Sequence, residues 1–479
     1  MNREQFEALR SEYDVVPFVR ELGADAITPV AAFAALSLPG TEAFLFESVE
    51  RGENVGRYSF VGFEPRRSLK FDRGDRNAVE MLNGELIPLR VYGEDGLPPF
   101  FGGAVGYFGY AVGGWSEKIP DTRPDQYAVP DAKLLFFDNV VVFDHVRQRL
   151  YVIANLFTAD PRATPESAEA RLDEAIGKLR NGRVDLLDFG VPRVADPEFA
   201  STFSRAEFEE MVVRAKDEIV AGEIFQVVLS QRWETAFQET DALTLYRVLR
   251  SVNPSPYMFL LRTTECTLVG SSPEMLVRVS GRHAETRPIA GTRPRGKNAQ
   301  EDAQLEQALL DDPKENAEHL MLVDLGRNDL GRVCRSGSVA VTGFRRIERY
   351  SHVMHIVSDV DGTLRDDRTP VDLFLSCFPA GTVSGAPKIR AMELIDSFEK
   401  TRRGPYAGAV AYVGFSGNLD SCITIRTIIL ANGNAYVQAG AGIVYDSDPA
   451  KEFDETLSKS AALRHAVGLA KELLSKRTF

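Results

Sequence analysis

The chain has 479 residues, 44% of them hydrophobic and 26% charged, with a net charge of −13 and a mean hydropathy of −0.17. This is the composition of a soluble globular chain, large enough for one big domain or two, and its acidity argues against broad nucleic-acid binding while leaving room for an anionic ligand in a locally cationic cleft. No run approaches the roughly 20 apolar residues of a membrane span, the N-terminal MNREQFEALRSEYD lacks a signal core, and four scattered cysteines without a CxxC pattern read as reduced core residues, so a cytoplasmic protein is expected.

In chain order, residues 1–22 read as a short helix, Val55 to Leu69 as strand, and the Gly- and aromatic-rich stretch Phe100 to Gly114 as a tight bend. Lys133 to Phe143 and Arg149 to Leu156 form a hairpin pattern, Thr164 to Asn181 a helix, and 182–200 the best linker candidate. Beyond it come an amphipathic helix (Ser204 to Gly222), a strand (Phe225 to Trp233) and a helix (Ala242 to Ser251). Asp312-Pro313 opens another helix, and Phe344 to Asp361 is mostly strand. The loop Pro379 to Lys388 starts a further helix, and Tyr406 to Leu430 reads as two strands around Gly417-Asn418. Helices interspersed among sequentially antiparallel strands favour an α+β fold over a parallel βαβ sheet. The expected division is an N-terminal part, 1–195, and a C-terminal domain, 196–479.

The stretch Val437 to Lys459 concentrates the chemistry. Ala439-Gly440-Ala441-Gly442 lets backbone approach a ligand closely, and Asp448-Pro449 signals a helix start. Glu452, Glu455 and Lys459 then share one stripe with Leu463, Val467, Ala470 and Leu474, so charges extend an otherwise core-facing side. Buried charges are costly unless paired or metal-bound. The helix after Asp312 repeats the device with Glu315 and Glu318, and a hard cation such as Mg²⁺ takes such oxygens. Glu315 also occupies a capping-box position, and surface glutamates at helix starts are ordinary. Arg426, inside SCITIRTIIL, needs an anion, either a structural salt-bridge partner or a substrate carboxylate. His355, flanked by apolar strand residues, is a core histidine or a general base. No P-loop, GxGxxG, GxSxG or zinc spacing is present.

Together, SPEML (272–276), PIAGTRPRG (288–296), KENAEHLMLVDLGRNDLGRV (314–333), SHVMHIVS (351–358), FPAGTVSGAPKIRAMELI (378–395), DSCITIRT (420–427) and VQAGAGIVYDSDPAKEFDET (437–456) resemble, in order, the chorismate-binding enzymes. The resemblance is dense over the C-terminal domain, looser before it, and nearest to anthranilate synthase component I. It implies large, mostly antiparallel sheets in a two-layer sandwich flanked by helices. It further implies Glu318 and Glu455 as Mg²⁺ ligands with Glu315 and Glu452 as nearby partners, and Tyr406, Arg426, Lys459 and the Ala439, Gly440 and Gly442 backbone as the grip on the enolpyruvyl carboxylate. Thr292, Thr382 and His355 are implied to line the ring, His355 handling the C2 proton, and Glu274 to protonate the departing C4 hydroxyl.

Two positions select a branch of the family. Relatives that add water at C2 carry lysine where this chain has Gln226, and relatives that make 4-amino-4-deoxychorismate carry a nucleophilic lysine where it has Ala290. With neither amine, the resemblance implies attack of ammonia on C2 and elimination of pyruvate to give anthranilate. Asn253 to Met258 (NPSPYM), with Glu47 and Ser48, resembles the family's allosteric tryptophan site, in which Pro256, Tyr257 and Met258 take part; either segment could also be a turn or sheet packing. No glutamine amidotransferase portion is recognisable, so a separate amidotransferase subunit, or free ammonium, is expected to supply nitrogen. Alternatives are 4-amino-4-deoxychorismate synthesis and a silent tryptophan-binding subunit.

Overall fold

The computed structural model describes residues 1–48, 56–75, 77–189, 197–349 and 353–476. Two sheets carry the fold. The larger, twelve-stranded sheet runs Val15–Gly23, Arg149–Phe157, Asn139–Asp144, Tyr58–Phe63, Ala43–Glu47, Tyr257–Arg262, Thr267–Ser272, Thr427–Ala431, Asn434–Ile443, Gln226–Ala236 and Gly385–Ala386, with Ala200–Ser201 beside Gln226–Ala236. The ten-stranded sheet runs Ile289–Pro294, Val353–Thr363, His283–Thr286, Met275–Ser280, Leu419–Ile423, Ala409–Gly414, Gly103–Phe108, Ala132–Phe137 and Arg67–Phe71, with Ala340–Arg349 beside Val353–Thr363. Every ladder among the described residues is antiparallel.

The sheets face each other across an aromatic layer. Phe44 and Phe60 of the larger sheet meet Phe137 and Tyr412 of the smaller, at ring centroid distances of 4.9 and 5.9 Å. Helices Pro29–Leu36, Pro165–Arg180, Ala242–Val252 and Pro449–Ser475 cover the outer face of the larger sheet. Helices Ala78–Glu85, Pro313–Gly331 and Pro370–Cys377 cover the smaller one, and Lys388–Phe398 packs on Gln226–Ala236 and Gly385–Ala386 of the larger. Burial of these apolar faces, at about 25 cal/mol per Å², is the main stabilising term. The expected α+β sandwich flanked by helices is the observed architecture.

The strongly periodic helices lie where the sequence places them. Thr164, a capping-box N-cap with Pro165 behind it, starts Pro165–Arg180; Ser204 does the same for Arg205–Val220. Three readings are corrected. Helix ends early, at Leu9, and Val15–Gly23 is a strand along Arg149–Phe157, burying Val15, Val16 and Phe18. Phe100 to Gly114 holds the strand Gly103–Phe108, whose glycines fit under its neighbours, before a short helical turn. Three runs read as single strands each pass from one sheet to the other: Tyr58–Phe63 to Arg67–Phe71, Ala132–Phe137 to Asn139–Asp144, and Leu419–Ile423 to Thr427–Ala431.

The expected division at 195/196 falls outside the described residues. Strands from before and after it alternate in both sheets: Met258 pairs with Glu47, and Ala409–Gly414 pairs with Gly103–Phe108.

Gly106 tests the close packing of the inner strands. A Cβ there would lie 1.9 Å from the Lys133 carbonyl oxygen and 2.7 Å from Leu134 Cδ2. Gly106→Ala is expected to cost about 1–3 kcal/mol, read as a lower midpoint in chemical denaturation.

Candidate active site

Edges of both sheets and the starts of two helices enclose a cavity of about 550 Å³, within the range of small-molecule sites. Its floor is the pairing of Gln226–Ala236 with Asn434–Ile443, which sets Gly442 opposite Val228, Gly440 opposite Ser230 and Ala439 opposite Gln231. The glycines make room for side chains as well as for a ligand. A Cβ on Gly442 would lie 2.6 Å from Gln226 Nε2, and one on Gly440 would lie 3.0 Å from Tyr406 Oη.

The two helix starts face the cavity with their carboxylates. Asp312 caps Pro313–Gly331 by accepting from the Lys314 and Glu315 amides, and Asp448 caps Pro449–Ser475 by accepting from Lys451. Glu315, Glu318, Glu452 and Glu455 all line the space. Burial foremost, then Glu315 and Glu455 nearby, holds Glu318 above the usual carboxylate range. Burial also raises Glu452, against a hydrogen bond from Ser447. The charged stripe differs from expectation in depth: Glu452 is buried, whereas Glu455 and Lys459 are half open, because this end of the helix overhangs the cavity and not the core. Lys459 Nζ sits 2.6 Å from Glu455 and donates to the Gly440 carbonyl at 3.1 Å, while Arg293 pairs with Glu315 at 3.1 Å. Four carboxylates against these cations leave an acidic site of hard oxygen donors, the chemistry that suits Mg²⁺. They are not drawn into a closed ligand set; among the described residues the only such group is His283, Glu285 and Asp361, outside this cavity.

The opposite wall holds two titratable groups, His355 and Glu274. His355 lies across from Thr292 in the Val353–Thr363 ladder, and its Nδ1 is 3.0 Å from the Gly291 carbonyl and 3.1 Å from Thr292 Oγ1. A carbonyl only accepts, so the ring carries its proton on Nδ1, and the neutral imidazole has its lone pair on Nε2. Burial lowers the His355 pKa, favouring that neutral form. Gly291 adopts φ +68° at a bulge between Ala290 and Thr292, a conformation suited to glycine. Glu274 accepts from Thr382 Oγ1 at 2.9 Å. Burial pushes the Glu274 carboxyl up to about 7, with the Thr382 hydroxyl and Lys459 acting the other way.

Arg426 is not a strand residue. It sits at the crossing between the two sheets with φ +51°, a left-handed geometry rare for a long side chain. Its Nη1 donates to the Lys459 carbonyl at 2.6 Å, and burial lowers its pKa. Tyr406 and Arg426 line the cavity, as do Gln226 and Ala290.

Comparison with known proteins places this arrangement. A profile described as chorismate binding enzyme matches residues 41–465. The chain is 44% identical over 489 aligned residues to anthranilate synthase component 1 of Acetivibrio thermocellus, covering 98% of this chain and 99% of that protein. It superposes with TM-score 0.77 and 35% identity on anthranilate synthase component I from Streptococcus pneumoniae, covering 92% of this chain and 99% of that one. The chain belongs to the chorismate-binding enzyme family. The menaquinone-specific isochorismate synthase of Escherichia coli, at 19% identity and TM-score 0.70 over 97% of this chain and 98% of its own, shares the fold. Architecture alone therefore does not separate reactions. Among the described residues no helix is long and apolar enough to cross a membrane.

The other expected family site forms a second cavity of about 340 Å³, lined by Glu47, Ser48, Pro256, Tyr257 and Met258. Glu47 is committed to the sheet's outer face, accepting from Tyr246 at 2.6 Å and from Arg250 at 3.0 and 3.2 Å. Ser48 Oγ is buried with no protein partner among the described residues. Tyr257 Oη donates to Asp420 at 3.2 Å, and Arg278 closes the triangle. Residues 49–55, which follow the Glu47-Ser48 motif, lie outside the described residues, as do residues 351 and 352 of the SHVMHIVS motif.

Sequence reasoning missed Gln438, which lines the active cavity and donates to Ser230 Oγ at 2.8 Å, and the buried Glu399–Arg403 pair behind the wall. A glutamine in a strand and charges in FEKTRRGPYAG read as solvated residues; only the tertiary contacts distinguish them.

A carboxyl whose folded-state pKa is raised contributes stability below its unfolded value, and that contribution is lost as pH rises through the folded value. For Glu274 the window runs from 4.5 to about 7. Glu274→Gln is thus expected to melt higher than the parent at pH 8, by up to about 3 kcal/mol, and to lose that advantage near pH 4. Thermal melts across pH check this.

Proposed function

We propose that the chain converts chorismate and ammonia to anthranilate, pyruvate and water. The observation that carries this reading is the absence of an amine at Gln226 and Ala290 in a cavity that also presents Glu274 and His355. Gln226 cannot act as the base for adding water, and Ala290 cannot form a covalent bond to the ring. Ammonia therefore attacks C2 directly. The N–C2 bond forms, the ring double bonds shift, and the C4–O bond breaks. Glu274, protonated near neutral pH, donates to the departing hydroxyl, which leaves as water. The added nitrogen loses its extra proton, His355 Nε2 then takes the C2 proton, the C3–O bond breaks as the ring becomes aromatic, and the departing enolpyruvate gains a proton at its methylene carbon to become pyruvate.

Binding follows from the charges. Arg426, Lys459, the Tyr406 hydroxyl and the Ala439–Gly442 backbone suit the enolpyruvyl carboxylate, giving a buried guanidinium an anionic partner. Glu318 and Glu455 would hold Mg²⁺, with Glu315 and Glu452 beside it. When bound, the ion supplies a positive centre for the ring carboxylate and offsets the repulsion among the glutamates. Nitrogen comes from a separate glutamine amidotransferase subunit, in keeping with the component 1 relatives, and a cytoplasmic setting accords with four buried, free cysteines.

The decisive assay is to incubate the purified chain with chorismate, Mg²⁺ and ammonium at alkaline pH and identify products by mass. Anthranilate and pyruvate in equal amounts are expected. Accumulation of an aminodeoxychorismate without pyruvate, or no turnover, would overturn the assignment.

We also infer that the second cavity binds tryptophan as a feedback inhibitor, with Ser48 Oγ offering an unmet hydrogen bond beside Pro256, Tyr257 and Met258. Ser48→Phe, which fills the space, is expected to raise the tryptophan concentration for half-inhibition by at least about tenfold, equal to about 1.4 kcal/mol. Turnover without tryptophan should be unchanged; inhibition curves settle the point.

A further inference from the structure

Behind the cavity wall lies a buried ion pair whose partners touch none of the cavity's space. Arg403 and Glu399 are each 3% exposed and meet through two bonds: Arg403 Nη2 to Glu399 Oε1 at 2.6 Å and Nε to Oε2 at 3.0 Å. Replacing such a pair with apolar side chains is often neutral for stability, so its presence here asks for a role in geometry. The remaining bonds show what it joins. Arg403 donates to the Val383 carbonyl and to the Val228 carbonyl, both at 2.7 Å. Glu399 Oε1 accepts from the Ser230 amide at 2.9 Å and its hydroxyl at 2.7 Å. Ser230 Oγ in turn accepts from Gln438, which lines the cavity. Val383 is the neighbour of Thr382, whose hydroxyl holds Glu274. The guanidinium also lies 4.6 Å from the Tyr110 ring centroid, a cation–π contact that keeps it from tilting.

We propose that the Glu399–Arg403 pair is a positioning device for the proton donor. It clamps the Gly381–Val383 turn to the strand Gln226–Ala236, so that Thr382 stays within reach of Glu274 while Gln438 is fixed on the cavity floor. The pair acts through Thr382 and makes no contact with substrate, and the inference rests on Glu274 being the acid in the proposed reaction. A single-residue change would leave a buried charge alone and risks unfolding. The informative variant is therefore the double change Glu399→Gln with Arg403→Met, which removes both charges at once.

The test measures kcat and KM for chorismate against pH, with ammonium as nitrogen donor, beside thermal melts. The double variant is expected to fold, to keep KM within about threefold, and to lose about tenfold to hundredfold in kcat. The alkaline limb of kcat should move to higher pH, because the hydroxyl that stabilises the Glu274 carboxylate is no longer held beside it; Lys459, the other group acting on Glu274, is untouched. Thr382→Val should give the same displacement and add nothing further in the double-variant background. A folded double variant with the parental kcat and an unmoved limb overturns the proposal, as does a loss that follows the melting curve alone. A readout independent of turnover separates this from the function itself. The infrared carboxyl band of Glu274, assigned by its loss in Glu274→Gln, should titrate higher in the double variant. An unmoved band overturns the positioning role even if the parent proves inactive on chorismate, whereas a moved band with an inactive parent keeps the clamp and overturns only the assigned reaction.

Discussion

Burial of carboxylates, with repulsion among them second, governs the candidate cavity. Two helix starts project Glu315, Glu318, Glu452 and Glu455 into one partly desolvated space, where Glu315 and Glu455 add to the burial that disfavours ionisation of Glu318, and Glu455 adds to that of Glu452. Two of the four have cations at hand, Arg293 for Glu315 and Lys459 for Glu455, and these offset only part of the charge. Such a site is destabilised when empty and strengthened by whatever positive centre it accepts, which is how a fold gives up local stability for binding. The same rule acts on the other wall. Burial keeps Glu274 protonated close to neutral pH and His355 neutral, so an acid and a base coexist a short distance from a strongly acidic cluster.

Rigidity comes from how the chain shares its strands between layers. Each sheet interleaves strands from widely separated parts of the sequence, and the aromatic layer between them locks Phe44 to Phe137 and Phe60 to Tyr412. A cavity wall made of strand edges moves only if a whole sheet moves. The chain crosses between sheets next to the site, and Arg426 stands at that crossing. Its left-handed backbone turns the guanidinium towards the Lys459 carbonyl instead of along a strand. Strain at this residue is the local cost of aiming a cation into a space framed by two sheets.

Much of this was legible in the sequence, for identifiable reasons. Helices with capping boxes and a 3.6-residue period, such as Arg205–Val220 and Pro165–Arg180 (the latter with Pro at its first position), carry their boundaries in local residues. The glutamate pairs and the glycine-spaced strand before Asp448 each showed as a short-range pattern, and the resemblance to the chorismate-binding enzymes is what joined them in one site. The crossings were not legible. Within SCITIRTIIL and Lys133 to Phe143 the residues stay apolar and β-branched on both sides of the break, since both sheets bury both ends, so no change of period marks where one sheet ends. The strand Gly103–Phe108 was hidden by its glycines, which suit a bend as well as they suit a strand pressed against Lys133 and Leu134. Glu399 and Arg403 were hidden by their charge: a buried ion pair and a solvated one look alike until the partners are in place.

The two cavities are neighbours in bonding as well as in space. Asn253, which opens the NPSPYM segment, donates to Ser271 Oγ at 2.6 Å, and the Ser271 amide donates to the Arg426 carbonyl at 3.0 Å. Arg426 then reaches the helix of Glu452 and Glu455 through Lys459. On the other side Tyr257, Asp420 and Arg278 tie the same segment to Glu285, on a strand paired with the one that carries His355. The proposed regulation of one cavity by the other would therefore require no distant relay. A ligand that displaced the strand Tyr257–Arg262 would pull on the backbone of Arg426, and the energy it could transmit is limited by its preference for one strand position over another.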